Sequence, residues 1–215
     1  IEVNSQTDFL AMQDDFKNFV AESLDVAVAD PSLDTAALIA NRESAREALV
    51  AKCGENVNIR RIERIEGDVL GAYLHGNRIG AVVSVSGGDV ELAKDIAMHV
   101  AASNPQFLDP SQVSEEAIAK EKEIFMALNE EKIKGKPENI VENMVGGRIK
   151  KFLAEASLVG QAFVKNPEVT VGKLADQAGA TIVSFVRFEV GEGIDRGEEV
   201  DFAAEVAAQV AASKK

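Results

Sequence analysis

Apolar residues recur along this chain at spacings that alternate between strand and helix. Ile1-Glu2-Val3-Asn4 alternates apolar and polar, as the end of a half-buried strand does. Ser5-Gln6-Thr7-Asp8-Phe9 follows as a polar turn region carrying one aromatic. Phe16, Phe19, Val20, Leu24 and Ala27 then fall on one helical face, with Asp14 or Asp15 placed to cap the helix and Asp30-Pro31 to end it. A second helix carries Ala45, Ala48 and Leu49 and stops at Gly54, a glycine where a C-terminal cap belongs. Val57, Ile59, Ile62 and Ile65 mark an extended segment from about Asn58 to Glu66, broken by Gly67-Asp68.

A hairpin comes next. Val69 to Leu74 and Arg78 to Val85 are its strands, and His75-Gly76-Asn77 is its turn. Gly87-Gly88 breaks the second strand, and Asp89 is placed to cap a helix whose apolar face is Leu92, Ala93, Ile96, Ala97 and Val100. Asn104-Pro105 ends it. Ser114 caps a charged helix striped by Ile118, Phe125 and Leu128, with Glu115 and Glu116 in the first turn where they favour the helix dipole. Gly135-Lys136-Pro137 turns the chain, with Pro137 suited to a first helical position, into a helix striped by Val141, Val145, Ile149 and Phe152. The pair reads as an antiparallel helical hairpin with a narrow seam, an arm projecting from the body. Gly146-Gly147 predicts a bend or a close contact in its second helix. Ala180 to Val190 is a strong strand closed by Gly191-Glu192-Gly193, and Phe202, Val206 and Val210 stripe a last helix.

Beneath this order lies a repeat. Val3 and Val85 each precede a loop and a helix, and each set is followed by a strand of shared pattern, Arg61-Ile62-Glu63 in one and Arg187-Phe188-Glu189 in the other. The fold class expected is α+β: two related subdomains with small antiparallel sheets packed by helices, plus a protruding helical hairpin and a C-terminal helix. The first subdomain is residues 1–67. The second is 68–113 with 180–191; the arm is 114–153; 154–179 connects back, and 192–215 forms the C-terminal helical module.

Composition narrows the chemistry. Of the 215 residues, 46% are hydrophobic and 27% charged, and the net charge is −13. No run approaches the ~18 apolar residues of a membrane span. Nucleic-acid binding needs a basic face to replace counterions. The clusters Arg60, Arg61, Arg64 and Arg148, Lys150, Lys151 read instead as local surface, so no direct nucleic-acid contact is expected. One cysteine, Cys53, fits a reducing cytoplasm, and with only His75 and His99 besides, no zinc spacing can be written. Neither a G-x-S-x-G elbow nor an H-E-x-x-H is present. Gly87-Gly88-Asp89 opens a helix but lacks the Gly-Lys-Ser/Thr of a phosphate loop. No catalytic residue, metal or cofactor is assigned.

Several segments together resemble a known family. Val3-Asn4-Ser5-Gln6-Thr7-Asp8-Phe9 is similar to a V-N-x-x-T-D-F signature, and Lys52 to Arg61 carries G-E-N and N-I-R-R. Gly67–Tyr73 with His75-Gly76, Ile96-Ala97-Met98-His99, Phe188–Gly193 and Asp201–Val206 also fit. In that order they resemble translation elongation factor Ts, the nucleotide-exchange partner of the GTPase elongation factor Tu. The resemblance implies a cytoplasmic, non-enzymatic guanine-nucleotide exchange factor that binds elongation factor Tu and accelerates GDP release. It implies that Asp8 and Phe9 wedge near the magnesium site of the GTPase, that His75 presses on a helix near its phosphate loop, and that the Cys53-Gly54 turn touches it. It also implies that the family's small N-terminal helical domain and first strand lie outside this chain. Cys53 stands where many members carry a larger aliphatic residue.

Read without the resemblance, Phe9 is either a core aromatic or an exposed anchor, His75 a solvated turn residue, Gly54 a helix end, and His99 structural or solvated. Other functional classes remain: a chaperone-like or scaffolding protein using the arm, or a small acidic enzyme. Whether the complex forms dimers or higher assemblies is left open.

Overall fold

Each half of the described chain, residues 1–194 of a computed structural model, is built on a small antiparallel sheet with helices against it. In the first, β1 (Glu2–Ser5) pairs with β2 (Val57–Arg61), with Ser5 opposite Val57 and Glu2 opposite Arg61. Between them run α1 (Asp8–Met12), α2 (Asp14–Ala29) and α3 (Thr35–Cys53). Leu10, Phe16, Phe19, Leu38, Leu49, Val57 and Ile59 close one apolar core. In the second half, β3 (Val69–His75) and β4 (Ile79–Ser86) form the expected hairpin, and β7 (Thr181–Glu189) pairs with the other edge of β4. The helix α4 (Val90–Ser103) covers this sheet, and Val83, Val85, Ile96, Val100, Leu158 and Ile182 lie in a separate core. The fold is α+β, as expected. The repeat is visible in the pairing: β1 with β2 corresponds to β4 with β7, and β3 has no counterpart among the described residues.

The arm consists of α5 (Glu115–Leu128), the short α6 (Glu130–Ile133) and α7 (Glu138–Ala156). Its seam is thin. Only Val145 is buried in α7, and Arg148 crosses to Glu121 at 2.6 Å. The expected C-terminal helix on Phe202, Val206 and Val210 lies outside the described residues.

Local expectations hold where a cap is a short-range bond. Asp89 accepts from the Leu92 N–H at 2.8 Å, Ser114 from Ala117 at 3.2 Å, and Gly54 ends α3 at φ 76°. Several others are corrected. Neither Asp14 nor Asp15 caps α2; Gln13 fills that position, because α1 ends immediately before it, and both aspartates sit in the first turn. Leu24 is exposed and Ser23 takes its inward place, its hydroxyl donating to the Phe19 carbonyl at 2.7 Å. Leu128 likewise faces solvent at the end of the arm. Pro137 is the residue before α7 rather than its first. Gly146-Gly147 makes no close contact, and α7 runs through it unbroken. The extended segment ends as strand at Arg61, and Arg60 and Arg61 are not free surface but bond Glu2. The stretch 154–179 holds structure that periodicity missed: β5 (Ala162–Phe163) and β6 (Asn166–Thr170) form a hairpin, and α8 (Val171–Gln177) follows.

His99 is not solvated. It is 1% exposed and clamps α4 to the β5–β6 hairpin. The Val164 N–H donates to its Nδ1 at 3.2 Å, so the proton sits on Nε2, which faces Gln161 Oε1 at 2.9 Å. The Asp95–Lys165 ion pair, 2.6 Å, joins the same two elements. Burial holds the His99 imidazole below its ordinary range, against the opposing bond from Gln161. A proton on Nδ1 would also expel the Val164 N–H. The unfolded chain therefore binds a proton, near pH ~6.5, before the folded one does. Stability from this site is complete above that pH and falls as pH drops toward the lower folded value. The melting temperature is expected to decline below about pH 6.5; His99→Gln should melt lower but lose that part of the pH slope, measured by calorimetry in matched buffers.

Candidate functional site

Four of the residues singled out by sequence lie on two segments, 8–9 and 53–54, that flank one end of the first sheet. Register is the first cause: Ser5 opposite Val57 places the chain leaving β1 beside the chain entering β2. Thr7 and Glu55 then lock the two segments. The Thr7 N–H donates to Glu55 Oε2 at 3.1 Å, and the Thr7 hydroxyl lies 2.9 Å from both carboxylate oxygens. That hydroxyl oxygen also accepts from the Leu10 N–H at 3.3 Å and so caps α1. Ser5 Oγ donates to the Thr7 carbonyl at 2.8 Å.

The expected turn at Asp8-Phe9 is thus the first turn of a short helix, and the cap decides what it presents. Successive helical residues point about 100° apart. With Leu10 driven into the core, 1% exposed, Phe9 points outward and is 77% exposed. Met12, one turn along, shares that outward face and is 61% exposed. Asp8 is exposed beside it. Of the two readings open for Phe9, the exposed one is what the fold adopts.

Cys53 and Gly54 end α3 next to this helix. Gly54 takes a left-handed φ of 76°, and its N–H donates to Val50 at 2.8 Å. No described residue lies within 4 Å of where its Cβ would stand. Cys53 is half-buried, with its sulfur 3.5 Å from the Glu55 carbonyl. Sequence reasoning passed over Thr7 and Glu55 as site residues. The signal was present: Thr7 lies three residues before the buried Leu10, and Glu55 follows the cap glycine.

His75 stands apart. It closes β3 on the second sheet, opposite Ile79, with Tyr73 stacked at 6.4 Å and Leu74 exposed beside it. Among the described residues no hydrogen bond or ion pair joins His75 to the other four. Its connection runs through backbone. The His75 turn lies against the end of β7, where the Val190 N–H donates to the Arg78 carbonyl at 2.8 Å.

This surface offers an outward aromatic, a flexible thioether, a carboxylate, a glycine turn and, on the second sheet, an imidazole. Among the described residues no three His, Cys, Asp or Glu side chains converge as a metal site. The glycine pair before α4 is no anion cradle, because Asp89 already occupies that helix end. No helix among the described residues is long and apolar enough to cross a membrane.

Comparison with known proteins agrees with the motifs. The sequence model for elongation factor Ts matches residues 6–192. Elongation factor Ts of Azotobacter vinelandii strain DJ is 77% identical over all 215 residues of this chain, which span 74% of the relative. The protein of the same name in Pseudomonas aeruginosa strain LESB58 is 76% identical, again over the whole chain and 74% of its own length. That of Stutzerimonas stutzeri strain A1501 is 74% identical over 75% of its length. With the match spanning the Thr7 cap and the Gly191 turn, the chain belongs to the elongation factor Ts family of translation elongation factors.

Proposed function

We propose that the chain is a guanine-nucleotide exchange factor: it binds elongation factor Tu in the cytoplasm and accelerates GDP release, with no bond made or broken. The observation that carries this reading is Phe9, a large aromatic held 77% exposed on a helix whose cap is tied to the Cys53-Gly54 turn. An apolar side chain kept in water by such bonding is placed for a partner rather than for its own core. Asp8, Phe9, Cys53 and Gly54 form one contact surface, belonging to residues 1–67. His75, on the hairpin of the second unit, forms another.

The mechanism is linkage. A factor that binds the GTPase better without GDP than with it must weaken GDP binding by the same ratio. Asp8 brings negative charge to a site whose magnesium and phosphates depend on charge balance, and Phe9 supplies apolar contact that a nucleotide-bound pocket would refuse. The test is GDP release. Elongation factor Tu loaded with fluorescent GDP is mixed with the chain in the presence of excess unlabelled GDP. The release rate is expected to rise with factor concentration and saturate; a rate unchanged at saturating factor rejects the reading.

A further inference from the structure

We infer that Glu2 is a positioning residue for exchange: its buried carboxylate sets the sheet bearing Phe9 against the sheet bearing His75. This rests on the exchange reading above. The Glu2 side chain is 1% exposed, at the start of β1. Oε1 accepts from Arg60 Nη1 at 2.9 Å and from the Gly191 N–H at 3.0 Å. Oε2 accepts from Arg61 Nε at 2.5 Å and from Arg60 Nη1 at 3.2 Å. Burial alone would favour the neutral acid, but the Gly191 N–H, Arg60 and Arg61 outweigh it and hold the carboxyl below its ordinary range.

The two arginines carry the junction further. Arg60 Nη2 donates to the Glu192 carbonyl, and the Arg61 guanidinium lies 4.1 Å from the centre of the Phe188 ring. All of these contacts on the second sheet fall where β7 ends. That same end holds the His75 turn: Glu189 lies opposite Ile79, Ile79 opposite His75, and Val190 donates to Arg78. An unbroken path of backbone and polar bonds thus runs from the Thr7 cap, along β1, through the Glu2 carboxylate, to the turn bearing His75.

Among the described residues the apolar cores do not supply this link, since each sheet closes its own cluster. Hydrophobic burial is non-directional and would tolerate a range of angles between two such halves. A carboxylate with its acceptor positions filled by donors from both sheets tolerates few. Exchange that needs Phe9 and His75 to press on the GTPase together depends on that angle.

Glu2→Gln tests it in the full chain. The amide keeps the volume and one acceptor but turns an N–H donor toward arginine donors. Arg60 and Arg61 are 21% and 31% exposed and can turn to water, so each core is expected to keep its circular dichroism. The limiting GDP-release rate at saturating factor is expected to fall about tenfold, as small misplacements of acting groups do. Glu2→Asp, which restores the charge on a shorter stem, should lie between the two. A second readout is independent of folding yield. Phe9→Ala and His75→Ala should be non-additive in the parent chain and additive in the Glu2→Gln background. A limiting rate within about twofold of the parent, coupling that survives Glu2→Gln, or loss of the folded signal in that variant overturns the positioning role. A parent chain that does not speed release at all instead overturns the exchange reading, and this inference with it.

Discussion

Phe9→Ala is expected to slow factor-stimulated GDP release at least about 30-fold, the effect of losing an interface anchor of ~2 kcal/mol or more, while leaving the melting temperature nearly unchanged. The two halves of that expectation come from the same geometry. The side chain is 77% exposed, so its removal costs little burial within the chain. The helix that presents it stays anchored by Leu10 in the core and by the Thr7 cap, neither of which the substitution touches. Alanine is also the better helix former, so α1 should not fray. Leu10→Ala is the matched control. It removes a side chain that is 1% exposed and should cost about 2–5 kcal/mol of stability. Stopped-flow release of fluorescent GDP and thermal melts on both variants decide the matter. Normal exchange by Phe9→Ala, or a large loss of its stability, would return Phe9 to the core-aromatic reading.

Gly71→Ala should destabilise the second half by about 3 kcal/mol, the upper end for forcing extra volume into a packed interior. Gly71 lies in the middle of β3 where α4 crosses most closely. A Cβ built there falls 2.1 Å from the Ala93 carbonyl carbon and 2.3 Å from the Lys94 nitrogen. Those are backbone atoms of a helix, so no rotamer change relieves the clash, and α4 must lift from the sheet. Lifting it opens the core at Ala93, Ile96 and Ala97, all buried against this sheet. Gly147→Ala gives the contrast. No described residue lies within 4 Å of its Cβ position in α7, and alanine there should stabilise by roughly 0.5–1 kcal/mol. Urea titrations of both variants check the sign as well as the size. A Gly71→Ala chain as stable as the parent would mean that α4 sits further from β3 than described.

Much of this architecture is legible in the sequence, and the reason is range. A cap is a bond between residues three apart, so Asp89 and Ser114 could be read directly. A left-handed helix end favours glycine, so Gly54 could be read too. The β3–β4 hairpin follows from two apolar runs flanking His75-Gly76-Asn77. The α1 helix is not legible in the sequence because five residues carry too little period. The hairpin of β5 and β6 and the helix α8 were missed for the same reason.

Sequence by itself determined the family signatures and the alternation of strand and helix; the candidacy of Asp8, Phe9, Cys53, Gly54 and His75 as a contact set is what the resemblance carried by those signatures implies. It could not say which way Phe9 faces. That was decided by Leu10 claiming the core and by Glu55, 48 residues from Thr7, fixing the helix start. Nor could it show that Arg60 and Arg61, written beside each other as a basic patch, turn inward to Glu2. The bond from Glu2 to Gly191 spans 189 residues. Polar contacts of that reach carry no period and no spacing rule; they exist only once each half has closed its own core and the two sheet ends lie side by side. The signature residues and the local caps were written locally, and the way the Glu2 carboxylate meets the Gly191 turn was left to tertiary structure.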